Sequence, residues 1–535
     1  MSDERSPLLQ NGSQNGYTTG EPGDSAIEQQ AQDPPQKSHL VFLIPMAVGI
    51  FLTAMDQTII VSSYASIGSE LNQLQNTSWI ATAYLLTITS FQPLYGKLSD
   101  IFGRKSCLLF AYTIFAIGCL LCGLSRNMTE LVASRAFAGI GGGGMQTIVS
   151  IIMSDVVPLR SRGTWQGVLN IVFATGNTVG ASLGGYLADT IGWRWAFLIQ
   201  VPITIVAIIA VTLALHLPKK KESGDFVAKL KRVDFGGAFF LVLTVFFLLF
   251  ALDRGGNIAW NDRYTVSALV GFGVCFTVFS FIEMEFASEP FAPKRIIINR
   301  SLIASYFVNF FGIASGFTLI FHLPLYFQAV QGKTATEASL WLVIGVFSSL
   351  TGSLGGGLIM QSTGKFYVIT VLGYAALLIG SSVVTLTSGV VIASSIGIAI
   401  GLAISSMGNG SGITTSLISL IANAGQEDQA IATAVSYLFR SLGSVVGLSV
   451  GSTLVQGTLR SALYRKLSGT DVDEIIRKVR ESLAYLDELD PYTRSVVRGS
   501  YEEAIHVVFS FSVILAACGL LSSIFIKEKP LMSRT

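Results

Sequence analysis

Gly96-Lys97-Leu98-Ser99-Asp100-Ile101-Phe102-Gly103-Arg104-Lys105 is a short charged run between two apolar stretches, 78–96 and 106–125. A shortened copy, Gly357-Leu358-Ile359-Met360-Gln361-Ser362-Thr363-Gly364-Lys365, closes the apolar stretch 338–360. Both copies keep the same spacing between their glycines, and glycine permits the tight turn that two adjoining helices need. A repeated helix–loop–helix junction predicts a duplicated chain.

Outward from these loops, apolar segments of about 20 residues recur, each long enough to cross a bilayer as a helix. They fall at 40–62, 78–96, 106–125, 129–153, 164–188, 194–217, 235–252, 264–286, 302–323, 338–360, 366–387, 390–422, 430–456 and 504–526. The expectation is an all-α polytopic membrane protein of about fourteen spans. Spans 1–6 and 9–14 form two six-helix halves, and spans 7 and 8 are a central insertion. The chain then divides into a disordered cytosolic tail (1–39), a first half (40–217), linkers with the inserted spans (218–300), a second half (301–526) and a short cytosolic tail (527–535).

Composition agrees. Of 535 residues, 51% are hydrophobic and 13% charged, against about 25% charged in soluble domains. The 54 glycines suit close helix packing in lipid. A net charge of +2 implies no nucleic-acid partner. Cys107, Cys119, Cys122, Cys275 and Cys518 lie in apolar stretches and read as small hydrophobes. The four histidines are scattered and form no zinc pattern.

Basic loop residues orient the chain. Lys97, Arg104 and Lys105 follow span 2, Arg160 and Arg162 span 4, Lys219 to Arg232 span 6, and Lys294, Arg295 and Arg300 span 8. Loops after spans 1, 3 and 5 carry almost none, so even-numbered loops and both termini are expected in the cytosol. The loop 457–503 strains this pattern: it should be non-cytosolic, yet holds eight basic and nine acidic residues. It reads as an amphipathic helical extension outside the membrane. Two sequons, Asn76 and Asn127, fall on the same non-cytosolic side as candidate N-glycosylation sites.

The loop 96–105 resembles the signature of the major facilitator superfamily, G-x-x-x-D-x-x-G-R-K, and departs from it at Ile101, where a basic residue is common. By that resemblance, Gly96, Asp100, Gly103, Arg104 and Lys105 latch one conformation. Asp100 and Arg104 are placed to bond charge-assisted with neighbouring helix ends. Span 5 carries Gly176, Gly180, Gly184 and Gly185, similar to the superfamily's antiporter motif with Ala181 in place of proline. Glycines four apart make a smooth stripe, which serves sliding contact and simple tight packing alike.

Span 1 carries Leu52-Thr53-Ala54-Met55-Asp56-Gln57-Thr58-Ile59-Ile60-Val61, which resembles a motif of the fourteen-span drug:proton antiporter group. Span 4 carries Arg135, and family members link an arginine here to proton movement. A carboxylate inside an apolar span is costly unless paired or protonated. Helix rise puts Asp56 about 24 Å from the cytosolic end of its span and Arg135 about 9 Å from the opposite end of span 4. In a core about 30 Å thick these depths coincide, so a pair is feasible. Such a pair serves as a proton carrier tuned by Arg135 or as structural glue, and Asp56 could equally face a cationic substrate. Asn170, Asn309, Asn409 and Arg440 are further candidates for a substrate cavity.

Near the amino terminus, Glu4, Leu8 and Leu9 resemble an acidic dileucine signal read by a sorting adaptor, which points to a vacuolar or lysosome-like membrane. Together these features resemble fungal vacuolar basic amino acid transporters. The resemblance implies antiport of Lys, His or Arg from cytosol to vacuole against protons, by alternating access among membrane lipids. No cofactor is implied. No G-x-x-x-x-G-K-[S/T] run occurs, so the proton gradient is the expected energy source rather than ATP. The alternatives are a plasma-membrane multidrug:proton exporter and a non-transporting nutrient receptor.

Overall fold

Lipid offers backbone amides and carbonyls no partners, so a chain this apolar satisfies them within helices. A computed structural model describes residues 37–156, 159–215, 235–257, 260–282, 299–424, 429–467 and 472–529. Glu4, Leu8 and Leu9 lie outside them. The first half comprises α1 (Lys37–Glu70), α2 (Ser78–Phe102), α3 (Arg104–Leu124), α4 (Met128–Val156), α5 (Leu159–Thr190), and the short α6 (Arg194–Leu198) leading into α7 (Gln200–Ala214). Then come α8 (Phe235–Asn257) and α9 (Arg263–Phe281). The second half comprises α10 (Arg300–Leu325), α11 (Ala335–Thr363), α12 (Tyr367–Thr387), α13 (Ser395–Ala424), α14 (Gln429–Lys466), α15 (Val472–Glu481) and α16 (Pro491–Ser523).

The duplication expected from the two glycine loops is visible in the packing. α1 lies on α5 and α7 while α4 packs against α2 and α3. In the same way α10 lies on α14 and α16 while α13 packs against α11 and α12. At equivalent turns Gly103 and Gly364 take φ of 88° and 67°, a region that L side chains rarely enter. We call the side carrying these turns the signature-loop face.

A helix coincides with each expected span, but by length and composition eleven are long and apolar enough to cross a membrane among the described residues. Within α8 the described apolar run is Phe239–Leu252, and α2 and α5 are not among the eleven. The physical reason lies in what those two helices touch: α2 packs on α14 and α5 on α11, across the boundary between halves. Their faces meet protein, so they need fewer apolar side chains than a lipid-facing span. The inserted hairpin sits beside one of these seams, with α8 against α2 and α14, and α9 against α8.

The halves meet on the face opposite the signature loops. There Tyr64 of α1 stacks on Phe321 of α10 at 4.4 Å, Thr82 of α2 bonds Ser449 of α14 at 3.3 Å, and Asp189 of α5 accepts from the Thr336 amide of α11 at 2.7 Å. One apolar core draws on both halves at this face. Toward the signature-loop face the cores separate into one belonging to the first half and two belonging to the second. The described residues thus hold the molecule closed on the far face.

The segment 457–503 is part of that closure. α14 continues to Lys466, and α15 follows as an amphipathic helix whose Ile476 and Val479 are buried. The segment reaches the first half where the Leu483 amide donates to Ser69 Oγ at 2.9 Å. Asp490 caps α16 by accepting from the Tyr492 and Thr493 amides at 3.1 and 3.0 Å. Those donors, Thr493 first, hold its carboxyl below the usual carboxylate range. The cap therefore contributes fully above the ordinary carboxylate pKa and is lost only as pH falls through the lowered value, so it survives mild acidity. Asn127 is exposed at the start of α4, where its Oδ1 accepts from the Glu130 amide at 2.9 Å. Asn76 is half-buried and bonds Gln73 at 3.2 Å.

The expected tail 527–535 also contributes structure. Glu528 accepts from the Phe366 and Tyr367 amides at 2.9 and 3.0 Å, placing a carboxylate at the positive end of α12. Asn423 of α13 donates to Lys527 O at 3.2 Å.

The glycines of α5 divide between two neighbours. A Cβ on Gly176, Gly180 or Gly184 would meet α1 backbone oxygens at 2.3–2.6 Å, and one on Gly185 would lie 2.7 Å from Ala335 O of α11. Gly185→Val should therefore open the far face. With Asp189→Cys and Thr336→Cys introduced as a cross-linking pair, Gly185→Val is expected to lower the oxidative cross-link yield several-fold, whereas unchanged yield would mean the seam tolerates the bulk.

Candidate functional site

Asp56 sits midway along α1, where its neighbours at 55, 59 and 60 are buried apolar residues. Arg135 enters from α4. That helix approaches α2 closely because Gly139 leaves room for the Tyr84 carbonyl, 2.5 Å from where a Cβ would be. Arg135 Nη1 meets Asp56 Oδ2 at 2.5 Å, with the side chains 1% and 0% exposed. The pair whose depths matched in the sequence is thus in contact and out of reach of solvent.

Five further contacts complete the site. Arg135 Nε donates to Ile80 O at 3.2 Å. The guanidinium stacks over the Tyr84 ring at 4.1 Å and faces the Phe197 ring at 5.6 Å. Gln200, the first residue of α7 and fully buried, donates through Nε2 to Asp56 Oδ1 at 3.1 Å and to Ala196 O at 3.0 Å. Both carboxylate oxygens therefore face donors, which is the environment of an ionised carboxylate. Gln200, Tyr84 and Phe197 escaped the sequence reading. The amide of Gln200 inside the apolar stretch 194–217 was the available signal.

The other candidates scatter. Asn309 is buried in the second half, where it donates to Ser305 O at 2.8 Å and Ser436 Oγ at 3.3 Å and accepts from Ser416 Oγ at 3.2 Å. In this conformation it ties α10, α13 and α14 together rather than lining open space. Asn409 is half-buried against Gly316, and its Oδ1 has no hydrogen-bond partner among the described residues. Arg440, half-buried on α14, lies over the Tyr437 ring at 5.2 Å. Asn170 and Asp100 belong to α5 and α2, and their side chains lie outside what the structure describes. In the signature loop Arg104 donates to Ser99 Oγ, and Lys105 reaches a helix end, donating to Thr212 O in the last turn of α7 at 2.7 Å. That contact places a cation at the negative pole of the helix.

The family model described as Major Facilitator Superfamily matches residues 46–448. The chain is 39% identical over 495 residues to the Vacuolar membrane amino acid uptake transporter fnx2 of Schizosaccharomyces pombe, covering 91% of this chain and 84% of that one. It is 38% identical to the Multidrug resistance protein fnx1 of the same yeast, covering 90% and 91%. It is 32% identical to the Vacuolar basic amino acid transporter 2 of Saccharomyces cerevisiae, covering 83% and 96%. Among solved structures, a bacterial homologue of the human lysosomal transporter Spinster superposes with a TM-score of 0.60 at 15% identity, covering 92% of this chain and 98% of that one. That likeness bears on the fold alone.

Removing one partner of a buried pair is expected to cost about 3–5 kcal/mol. The two partners differ, because a lone aspartate can take up a proton whereas a lone guanidinium cannot lose one. Asp56→Asn should therefore lower the thermal midpoint of the detergent-purified protein more than Arg135→Gln does, and Asp56→Asn/Arg135→Gln should recover part of the loss. Equal, independent losses that add in the double variant would contradict a coupled pair.

Proposed function

The chain belongs to the Major Facilitator Superfamily, and from that premise we propose that it is a proton-coupled antiporter that carries amino acids, with Lys, His and Arg as the expected class, from cytosol into vacuole. It is a multi-pass membrane transporter and not an enzyme. The observation that carries the coupling is the dry Asp56–Arg135 contact. A carboxylate held within an apolar bundle changes its charge only by exchanging a proton, and that exchange loosens or tightens its hold on Arg135.

The substrate class rests on similarity to transporters whose names specify vacuolar amino acid and basic amino acid transport. Glu4, Leu8 and Leu9 add a sorting signal for a vacuolar membrane, read from a cytosolic terminus by an adaptor. The proton gradient supplies the energy. Transport follows from alternating the far-face closure with closure at the signature-loop face, where Gly103, Arg104 and Lys105 join α2 and α3. A second reading, drug:proton export, is favoured by the similarity to a multidrug resistance protein over nearly the whole chain.

Uptake of radiolabelled lysine, histidine and arginine into energised vacuolar vesicles tests the reading. Deleting the protein should remove an ionophore-sensitive component, and Asp56→Asn, confirmed present in the vesicle membrane, should fail to restore it. Unchanged uptake on deletion would overturn basic amino acids as substrates. Drug sensitivity on deletion with intact amino acid uptake would favour the exporter reading.

A further inference from the structure

Neutral Asp56 needs an acceptor for its proton, and the hydrogen bonds its oxygens make in this structure supply only donors. Arg135 Nη1 takes one lone-pair site of Oδ2 and Gln200 Nε2 one of Oδ1, and both are donors, so a proton on either oxygen finds no acceptor in these two contacts. Arg135 has no acceptor to offer. Gln200 has one, and it is idle: Oε1 is buried and has no hydrogen-bond partner among the described residues, while both Nε2 protons are used, on Asp56 Oδ1 and Ala196 O. A buried amide oxygen left unpaired is costly and calls for an explanation.

Building on the reading of Asp56 as proton carrier, the geometry points to Gln200 as the positioning residue that holds this carboxyl in both protonation states by turning its amide. With Asp56 ionised, Nε2 donates to Oδ1, as in the structure. When a proton from water binds Oδ1, the amide turns about its last side-chain bond, Oε1 accepts the new O–H, and the bond to Ala196 O is given up. The proton leaves to water on the other side of the membrane and the amide turns back. Gln200 itself neither gains nor loses a proton. The unpaired Oε1 is thereby explained as the acceptor kept for the loaded form, and the carboxyl is freed to leave Arg135 without losing all its partners.

The other groups around the carboxylate do not take this role as well. Arg135 from α4 only donates, and the thiols of Cys119 and Cys122 from α3 are weak hydrogen-bonding groups. Tyr84 from α2 is the one rival: its hydroxyl lies near Asp56 and also lacks a hydrogen-bond partner among the described residues. Gln200, however, already holds Asp56 Oδ1 at 3.1 Å, whereas the Tyr84 hydroxyl, free to turn about its ring C–O bond, makes no such bond here. α7 contributes no titratable group to the site, only Gln200.

Infrared difference spectroscopy of the purified, lipid-reconstituted protein across a pH titration decides it. Wild type should show the carbonyl stretch of a hydrogen-bonded carboxylic acid on acidification, and Asp56→Asn/Arg135→Gln should lack it. Gln200→Met, similar in size but without donor or acceptor, should move that band to the higher wavenumber of an acid with no partner, while Tyr84→Phe leaves it in place. A band unmoved in Gln200→Met, or moved only in Tyr84→Phe, would overturn the role of Gln200 and leave Asp56 as carrier intact. Absence of any Asp56 band in wild type would instead overturn the carrier reading itself. If Gln200→Met does not fold, wild type labelled with ¹³C at the glutamine side-chain carbonyl serves: a glutamine band that appears with the Asp56 titration and is missing from the double variant supports the turn, and its absence refutes it.

Discussion

A carboxylate shut away from water stays charged only while it has a partner, and a guanidinium, which cannot shed its charge, needs one. In this chain Asp56 and Arg135 stand 2.5 Å apart at 0% and 1% exposure. Their mutual attraction offsets a desolvation cost of several kcal/mol per ion only with good geometry and further hydrogen bonds. The site supplies these through the Ile80 carbonyl, the Tyr84 face and the Gln200 amide. Four elements, α1, α2, α4 and α7, are thereby held to one point, and the packing of the first half is organised around it.

What surrounds the pair follows from that requirement. α4 must come close enough for its arginine to enter, and its glycine-rich middle lets it approach α2. α1 must be gripped on its other side, and the glycines of α5 let that helix lie against it almost backbone to backbone. The second half repeats the packing, and among the described residues no buried ion pair like Asp56–Arg135 repeats with it. At the level of α10 it has Asn309, a neutral bracket among serines. The far-face seam joins the halves through Tyr64, Thr82 and Asp189. In the proposed cycle a change in the charge of Asp56 would loosen α1 against α4 and α7, and α1 carries Tyr64, which sits in the seam.

Much of this was legible in the chain. Long apolar runs announce helices in lipid, and a glycine that recurs in the same place after two spans announces duplication, because Gly103 and Gly364 both adopt a backbone angle closed to other residues. Asp56 and Arg135 stood out because charges are rare within spans and their depths matched. Other features were hidden for physical reasons. α2 and α5 are less apolar than lipid-facing spans because they face the other half. Gln200 and Tyr84 look like ordinary polar interruptions until three-dimensional packing brings them to the carboxylate. Glu528 reads as tail, and only folding shows it at the start of α12. Signature patterns suggested Asp100 and Arg104 as residues that meet helix ends, and the chain gave no sign that Lys105 would also reach one.

The central claim is that Asp56 gives up or takes on a proton each time substrate crosses. Its most direct test is to record both movements in one preparation: purified protein in proteoliposomes enclosing a pH-sensitive dye, with lysine added outside under a clamped membrane potential. The account predicts that lysine entry is accompanied by proton exit, seen as internal alkalinisation, and that neither occurs in liposomes carrying Asp56→Asn. Lysine entry with no change in internal pH, or an undiminished pH change in the Asp56→Asn protein, would contradict it.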